Sequence, residues 1–472
     1  MLLTDIIEGL TGYKIDAPHA VSQVVIDSRQ AGEGFVFVAL PGEHTDGHDY
    51  VAAAFQQGAI AAITHQPVAV SAEYQVIKAG LANPPTQLEA LPICIQVENS
   101  LAGLQQLARF WRQKFNPRVI GLTGSVGKST TKELVAAVLA QRYRVLKSVG
   151  NLNNEIGLPL TLLQLTAAHE VVVLEMGMYE VGEIELLCHI AQPHIGIITN
   201  VGPTHLERLG TIERIAQAKA ELVQALPADG TAILNHDDPL VLAMAAQTKA
   251  HVLTYGLTPD ADLFASQVTN IALEGITFAL NYEKNIMDIR LPMLGQHHVY
   301  AALPAALVGV IEGVTWAEII QGLQSATPLR LVAQPGPQQS VLLDDTYNAS
   351  PASTLAALNL LANVTAPRKI AVLGDMMELG SYEEMGHRQV GARAAAVVDL
   401  LITLGSRAQW IAAEAKANGL SSAQILQFDN HEAIIDYLHS HLSPQEVVLI
   451  KGSRSLQLDK VVAGLLNGVT PH

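Results

Sequence analysis

Positive charge and cysteine are both scarce in this 472-residue chain. Against 44 acidic residues stand 28 Lys and Arg, a formal net charge of −16. A field of that sign opposes nucleic acid or an anionic membrane as the main partner, because phosphates are repelled before any local contact forms. An anionic substrate must therefore meet locally placed cations. The two cysteines, Cys94 and Cys188, lie far apart with no C-x-x-C spacing. They support neither a disulfide framework nor a zinc site and fit two buried thiols in a reducing cytosol. Long apolar runs are missing as well: the best candidate, residues 301–311, is short and holds Pro304, well below what a bilayer requires. The opening MLLTDIIEGLTGYK carries Asp5 and Glu8 and no basic leader, so a cytoplasmic chain without membrane insertion is expected. No low-complexity tract or short-period repeat occurs.

What is present is apolar content of 49%, enough for more than one core and, by usual domain size, about three domains. Residues 1–113 mix short strand-like runs such as 34–40 with helical stretches such as 50–58 and 101–114, and Asn116-Pro117 marks a boundary. From Val119 onward, β-rich runs at 119–122, 171–175, 195–199 and 231–234 alternate with helical patterns, the signature of a parallel sheet covered on both faces. A second break falls at Thr327-Pro328, after which runs at 340–343, 369–373, 400–404 and 447–450 repeat the alternation. The expected fold class is α/β with three domains: a smaller N-terminal domain at 1–113, a central parallel-sheet ATPase domain at 114–327, and a Rossmann-like domain at 328–472.

The string GSVGKST, residues 124–130, separates the apolar run 119–122 from the helix-compatible run 131–141. Gly124 and Gly127 let the backbone approach an anion, the helix N-terminus aims free N–H groups at it, Lys128 adds a point charge, and Ser129 is placed to ligate Mg²⁺. A strict Walker A pattern wants Gly six residues before the Lys, and that position is Leu122. The turn is a shortened phosphate loop, and its setting between strand and helix makes the chain an ATP user rather than one with a glycine turn that merely starts a helix.

Open α/β sheets bind ligands outside the carboxyl ends of their strands. Glu175 ends one apolar run, and Asn200 and His205 follow another. In the helical pattern 211–225, Lys219 projects near the centre of the apolar stripe formed by Ile212, Ile215, Ala216, Leu222 and Val223. Three readings are open for it: snorkelling to solvent, pairing with a buried carboxylate, or a lowered pKa whose neutral amine adds CO₂ to become a carbamate.

Taken together, these strings resemble the Mur ligases, the ATP-dependent enzymes that build the peptide of the peptidoglycan precursor, over nearly the whole chain. DSR at 27–29, with Ser28 and Arg29, and PGEHTDGHDY at 41–50, with Asp46, Gly47 and His48, are similar to the family's uridine-diphosphate-binding domain. GNLNNEIGLPL at 150–160, with Asn153 and Asn154, is similar to the segment lining the muramoyl-peptide cleft. EMGM at 175–178 is similar to the metal-binding strand end, and GPTHLERLGTIERIAQAKAEL at 202–222 brings the family's metal histidine onto His205 and its carbamylated lysine onto Lys219. DDTYNASP at 344–351, GDMMELG at 374–380 and KGSRS at 451–455 are similar to the branch that adds D-alanyl-D-alanine to UDP-N-acetylmuramoyl-tripeptide. The D-N-P-R string expected of diaminopimelate-adding relatives is absent, and folylpolyglutamate synthetases lack the N-terminal uridine pattern.

The resemblance implies that the tripeptide carboxylate attacks the γ-phosphate of ATP and that D-alanyl-D-alanine then displaces phosphate from the acyl phosphate. It implies nucleotide contacts from Gly124, Ser125, Val126, Gly127, Lys128, Ser129, Thr130 and Asn200, and from His298, Arg330, Asp345 and Tyr347. One Mg²⁺ on Ser129 and Glu175 and a second on His205 and carbamylated Lys219 are implied, with Lys128, His205 and Lys219 catalytic. The dipeptide would meet Asn348, Ala349 and Ser350, the chain would act as a monomer, and its last domain would close on ATP. Three positions in two segments depart from the family pattern. GQHHVYAA at 295–302 has His298 and Ala301 where relatives usually carry Asn, and Ser350 stands where Asn is more common. A ligase of the same architecture with a different amino acid, or a nucleotide-binding switch, are the alternatives.

Overall fold

A computed structural model describes every residue except 43, 70–73, 82–83, 205, 272, 327–330 and 468–472. His205 and Arg330 therefore lie outside the described residues. The chain divides into two compact units: Met1–Gly121 with Tyr143–Met178 and Gly182–Ile195, and Leu122–Arg142 with Tyr179–Val181 and Gly196–His472.

The fold is α/β and is built on three sheets. The first takes β1 (Gln23–Val25), β2 (Phe35–Val38), β3 (Ala61–Thr64), β4 (Gln75–Lys78) and β5 (Ile93–Gln96) in the order β1-β2-β3-β5-β4, parallel throughout. The second takes β6 (Arg118–Thr123), β7 (Val145–Lys147), β8 (Val171–Glu175), β9 (Ile195–Ile198), β10 (Thr231–Asn235), β11 (His251–Gly256), β12 (Leu263–Ile271), β13 (Gly275–Tyr282) and β14 (Asn285–Leu291). Its order is β14-β13-β12-β11-β10-β9-β6-β8-β7. The pairs β7–β8, β10–β11 and β11–β12 are parallel, whereas β12, β13 and β14 run antiparallel to one another. That antiparallel extension is absent from the sequence reading. β12 and β14 carry exposed residues and polar interruptions along their length, while β13 between them is largely buried but broken by Thr277 and Asn281, so none of the three writes a continuous apolar run.

The third sheet takes β15 (Val332–Pro335), β16 (Val341–Asp345), β17 (Lys369–Gly374), β18 (Leu400–Leu404), β19 (Ile425–Phe428) and β20 (Val447–Lys451), ordered β15-β16-β20-β17-β18-β19. Only the edge strand β15 is antiparallel. Side chains alternate along each strand, and the two faces carry separate cores. Leu343, Ala371, Leu401 and Leu449 pack with the helices Pro351–Asn363, Glu383–Ala395 and Gln409–Ala417, while Leu342, Val372, Ile402 and Val448 pack with His431–His441 and Asp459–Leu466.

The helix that follows the phosphate loop, Lys128–Leu139, lies against the helices Val299–Ile311 and Trp316–Ser325. Two glycines permit the approach. A Cβ on Gly322 would sit 2.5 Å from Val138 Cα, and one on Gly309 would sit 2.8 Å from Val138 Cγ1. Gly322→Ala is expected to destabilise the protein by about 1–3 kcal/mol through overpacking, read as a lowered denaturation midpoint. An unchanged midpoint would show that the helices separate freely.

Candidate active site

In the second unit, the phosphate loop hangs from the end of β6 and is held by the chain leaving β9. Gly124 has φ 150° and Gly127 φ 89°. A Cβ at Gly124 would fall 1.8 Å from Thr199 Oγ1, so no larger residue fits there. Thr199 Oγ1 and Asn200 Nδ2 both donate to the Val126 carbonyl, at 2.8 and 2.9 Å, and Val126 N–H donates back to Asn200 Oδ1 at 2.9 Å. Ser125 N–H donates to the Asn200 carbonyl at 3.0 Å, Ser125 Oγ donates to the Gly202 carbonyl at 3.1 Å, and Gly202 N–H donates to Ser125 Oγ at 2.8 Å. The carboxamide of Asn200 thus bonds to the loop backbone through both its oxygen and its nitrogen. Behind this clamp, Asn235 Nδ2 donates to the Thr199 carbonyl, Tyr255 Oη donates to the Ile198 and Thr199 carbonyls, and the Asp238 carboxylate accepts from Val201 N–H. Sequence reasoning missed Asn235, Asp238 and Tyr255. The NHDDP string after β10, with Asp before the Pro that starts a helix, was the available signal.

Gly127 caps the helix Lys128–Leu139 in a left-handed conformation, leaving the first-turn N–H groups to face an anion. Lys128 Nζ donates to the Gly124 carbonyl at 2.7 Å, folding the ammonium over the loop. Ser129 and Thr130 are buried beneath it. Lys219, on the helix Ile212–Gln224 capped by Thr211, is 2% exposed. It does not reach solvent, and no hydrogen bond or ion pair to it is found among the described residues. Burial, and then repulsion from Lys128, push its pKa well below the ordinary lysine value. Of the three readings left open for it, snorkelling and a carboxylate partner among the described residues both fail.

In the same unit, Asp345 ends β16 opposite Lys451 at the end of β20. Lys451 Nζ donates to Asp345 Oδ2 at 2.6 Å and to the Asn348 carbonyl at 2.9 Å, and the pair is buried. Tyr347 lies under Arg454, whose Cζ is 5.2 Å from the ring centroid. Ala349 is buried, and Ser350 caps the helix Pro351–Asn363, bonding with Ser353. His298 is buried at the start of the helix Val299–Ile311, its ring 4.1 Å from that of His297.

In the first unit, Glu175 is buried at the end of β8, where its Oε1 accepts from Asn153 Nδ2 at 2.9 Å. Asn154 Oδ1 accepts from Gly157 N–H at 2.8 Å and opens the helix Gly157–Leu162. Arg29 is exposed and paired with Asp27, the cap of its own turn. Asp46 caps the turn Gly47–Tyr50 and accepts from the His48 backbone and from His48 Nδ1 at 2.6 Å, which holds its carboxyl below the usual range. His48 Nε2 accepts from His65 N–H, so the ring proton belongs on Nδ1. Gly47 is required because a Cβ would meet the Leu40 backbone at 2.7 Å. Ser28 lies in the one-turn segment Ser28–Gln30.

Comparison with known proteins follows the same outline. Residues 20–112 match the model of the Mur ligase family catalytic domain, 122–309 the Mur ligase middle domain, and 329–454 the Mur ligase glutamate ligase domain. The chain is 38% identical to the UDP-N-acetylmuramoyl-tripeptide–D-alanyl-D-alanine ligase of Synechocystis, over 94% of this chain and 92% of that one. It is 34% identical to the ligase of the same name from Escherichia coli, over 98% and 97%. A crystal structure of MurF from Acinetobacter baumannii superposes with TM-score 0.84 at 28% identity, covering 98% of each chain. MurF ligase from Thermotoga maritima in complex with ADP gives 0.80 at 28% identity, covering 94% of this chain and 97% of that one.

Asn200→Ala removes two hydrogen bonds from the loop, together about 1–3 kcal/mol. ADP affinity is expected to fall by roughly 5- to 150-fold in calorimetric titration, with the fold retained. Unchanged affinity would show that the loop holds its shape without the clamp.

Proposed function

The chain belongs to the Mur ligase family, and from that premise we propose that it joins D-alanyl-D-alanine to UDP-N-acetylmuramoyl-tripeptide, converting ATP to ADP and phosphate. The observation that carries this reading is the end-to-end similarity to ligases of that name, in a chain whose phosphate loop places Lys128 near a buried lysine. The tripeptide carboxylate attacks the γ-phosphate, forming a C–O–P bond and expelling ADP. The dipeptide amine then adds to the acyl carbon, and collapse of the tetrahedral intermediate releases phosphate and a proton. Both partners of the first step are anions, so the barrier is lowered by fixed positive charge. Lys128 and the N–H groups of the helix it begins supply it at the β- and γ-phosphates.

Burial, and then the nearby Lys128, push the pKa of Lys219 well below the ordinary lysine value. Its neutral amine adds CO₂ and loses a proton to give a carbamate, so that the buried amine beside Lys128 becomes an anionic oxygen donor. An ammonium there would repel a divalent cation, whereas a carbamate suits Mg²⁺. One Mg²⁺ would be held by Ser129 and Glu175 and a second by His205 and carbamylated Lys219, and when bound they supply charge neutralisation for the phosphates. Ser28, Arg29 and the Asp46–His48 turn are assigned to the uridine diphosphate, Asn153 and Asn154 to the muramoyl peptide, and His298, Arg330, Asp345 and Tyr347 to the nucleoside and phosphates of ATP. A monomer in the cytoplasm, with domains at 1–113, 114–327 and 328–472, completes the assignment. Among the described residues no helix is long and apolar enough to cross a membrane.

The test is phosphate release with ATP, Mg²⁺ and UDP-muramoyl-tripeptide, comparing added D-alanyl-D-alanine with single amino acids. Release and amide product only with the dipeptide are expected; turnover with a single amino acid would move the chain to another ligase activity. Lys128→Ala should lower turnover by at least roughly 10²-fold. Lys219→Ala should also lose most activity, partly restored by short carboxylic acids. In ¹³C-bicarbonate the wild type should show a carbamate resonance that Lys219→Ala lacks, and its absence from the wild type would exclude the modification.

A further inference from the structure

The strings NLNNEIG at 151–157 and EMG at 175–177 lie apart in the chain and form one structure in the first unit. The chain leaving β7 crosses the end of β8 and is bonded to it at each step. Ser148 N–H donates to the Val173 carbonyl at 3.1 Å, Glu175 N–H donates to Ser148 Oγ at 3.2 Å, and Gly177 N–H donates to the Asn153 carbonyl at 2.8 Å. Between the last two, Asn153 Nδ2 donates to Glu175 Oε1 at 2.9 Å. The orientation of the amide follows from its partner, since an ionised carboxylate only accepts and so takes the nitrogen.

Both sides of Asn153 are shaped for this contact. A Cβ on Gly177 would lie 3.1 Å from Asn153 Cγ and Oδ1, so glycine there leaves room for the carboxamide. On the other side, Leu152 N–H donates to the Val149 carbonyl at 3.2 Å, and Gly157 N–H donates to Asn154 Oδ1 at 2.8 Å. The turn that carries Asn153 is therefore set by the protein's own hydrogen bonds.

We propose that Asn153 is a positioning residue for the Glu175 carboxylate, fixing it for a divalent cation, and not a contact of the muramoyl peptide. The proposal rests on the assignment of Glu175 to Mg²⁺ above. Carboxylates that hold metal ions are usually hydrogen-bonded in turn, and those partners orient them. A glutamate side chain turns about several bonds, and freedom lost only when the ion arrives costs affinity. Asn153 removes that freedom beforehand by holding Oε1. Being neutral, the amide does so without cancelling the charge that attracts the ion, as Lys or Arg in its place would do.

Mn²⁺ binding to the protein–ADP complex tests this in Asn153→Leu, Asn153→Ala and Glu175→Gln, read from the free-ion signal in electron paramagnetic resonance with ADP alone as the blank. Leu keeps the size of the asparagine, Ala leaves space, and neither donates a hydrogen bond. The Mn²⁺ dissociation constant should rise about 10-fold or more in both Asn153 variants. Binding of UDP-muramoyl-tripeptide in EDTA, followed by calorimetry, should stay within about 2-fold of wild type, which neither a lost peptide contact nor a collapsed cleft would allow. Mn²⁺ affinity unchanged in both Asn153 variants but weakened in Glu175→Gln overturns the positioning role alone. Mn²⁺ affinity unchanged in Glu175→Gln as well removes the ion from Glu175, and the positioning role with it.

Discussion

The second unit depends on the stitching of one loop to one strand end. The phosphate loop has no side chain at Gly124 to keep it away from Thr199, and the vacated space is filled by hydrogen bonds to Val126. A loop meant to bind triphosphate must keep its N–H groups pointed outward before the anion arrives, because reorienting them during binding costs affinity. Thr199 and Asn200 provide that order at the loop's centre. Asn235, Asp238 and Tyr255 in turn fix the backbone that carries Thr199 and Asn200. The order therefore spreads inward from loop to strand end to neighbouring strands, each layer satisfying the polar groups of the one before.

Charge is distributed on the same principle. The chain as a whole is strongly negative, yet two lysines come close enough in the second unit for one to depress the other's pKa. Burying an ammonium without a partner is costly, and proteins commonly meet that cost by letting the group lose its proton. Burial, and then the nearby Lys128, push Lys219 in that direction. Lys451, equally buried, takes the other solution: it keeps a carboxylate at 2.6 Å and a carbonyl at 2.9 Å. Two buried lysines of one unit thus differ: Lys451 is paired, and Lys219 has no hydrogen-bond or ion-pair partner among the described residues.

Much of this was legible in the residues. The runs 171–175 and 400–404 are strands with those same bounds, because a strand buried on both faces writes itself as an unbroken apolar word. Lys219 stood out because a charge interrupts an apolar helical stripe, and the structure buries it there. The shortened phosphate loop was readable from its glycines, both of which adopt positive φ. What stayed hidden were partnerships across the chain. Nothing near Asp345 announces Lys451, 106 residues away. Asn200 reads as a ligand-facing amide, and nothing near it announces that its oxygen and nitrogen both bond to Val126. Ser350 reads as a site residue, yet Ser before Pro is also a helix start, and in the fold it caps. Short polar residues at strand ends serve loops, caps and ligands with the same atoms, and only geometry divides them.

The division of the third sheet follows from that last point. Each parallel strand there ends in a polar residue or is followed within two residues by one, at Asp345, Asp375, Ser406, Asp429 and Lys451, but a strand end becomes a site only where its loop and its neighbour's diverge. Glycines at 374 and 452 and the hydroxyl of Ser453 close one divergence, so polarity there is spent on the protein itself. At β18/β19 the loops diverge and nothing fills the gap, while uncommitted amides and a carboxylate line it. Helices that change faces on either side of a closed seam, at β16/β20 and again at β18/β19, give this one α/β sheet two crevices that open at the same end.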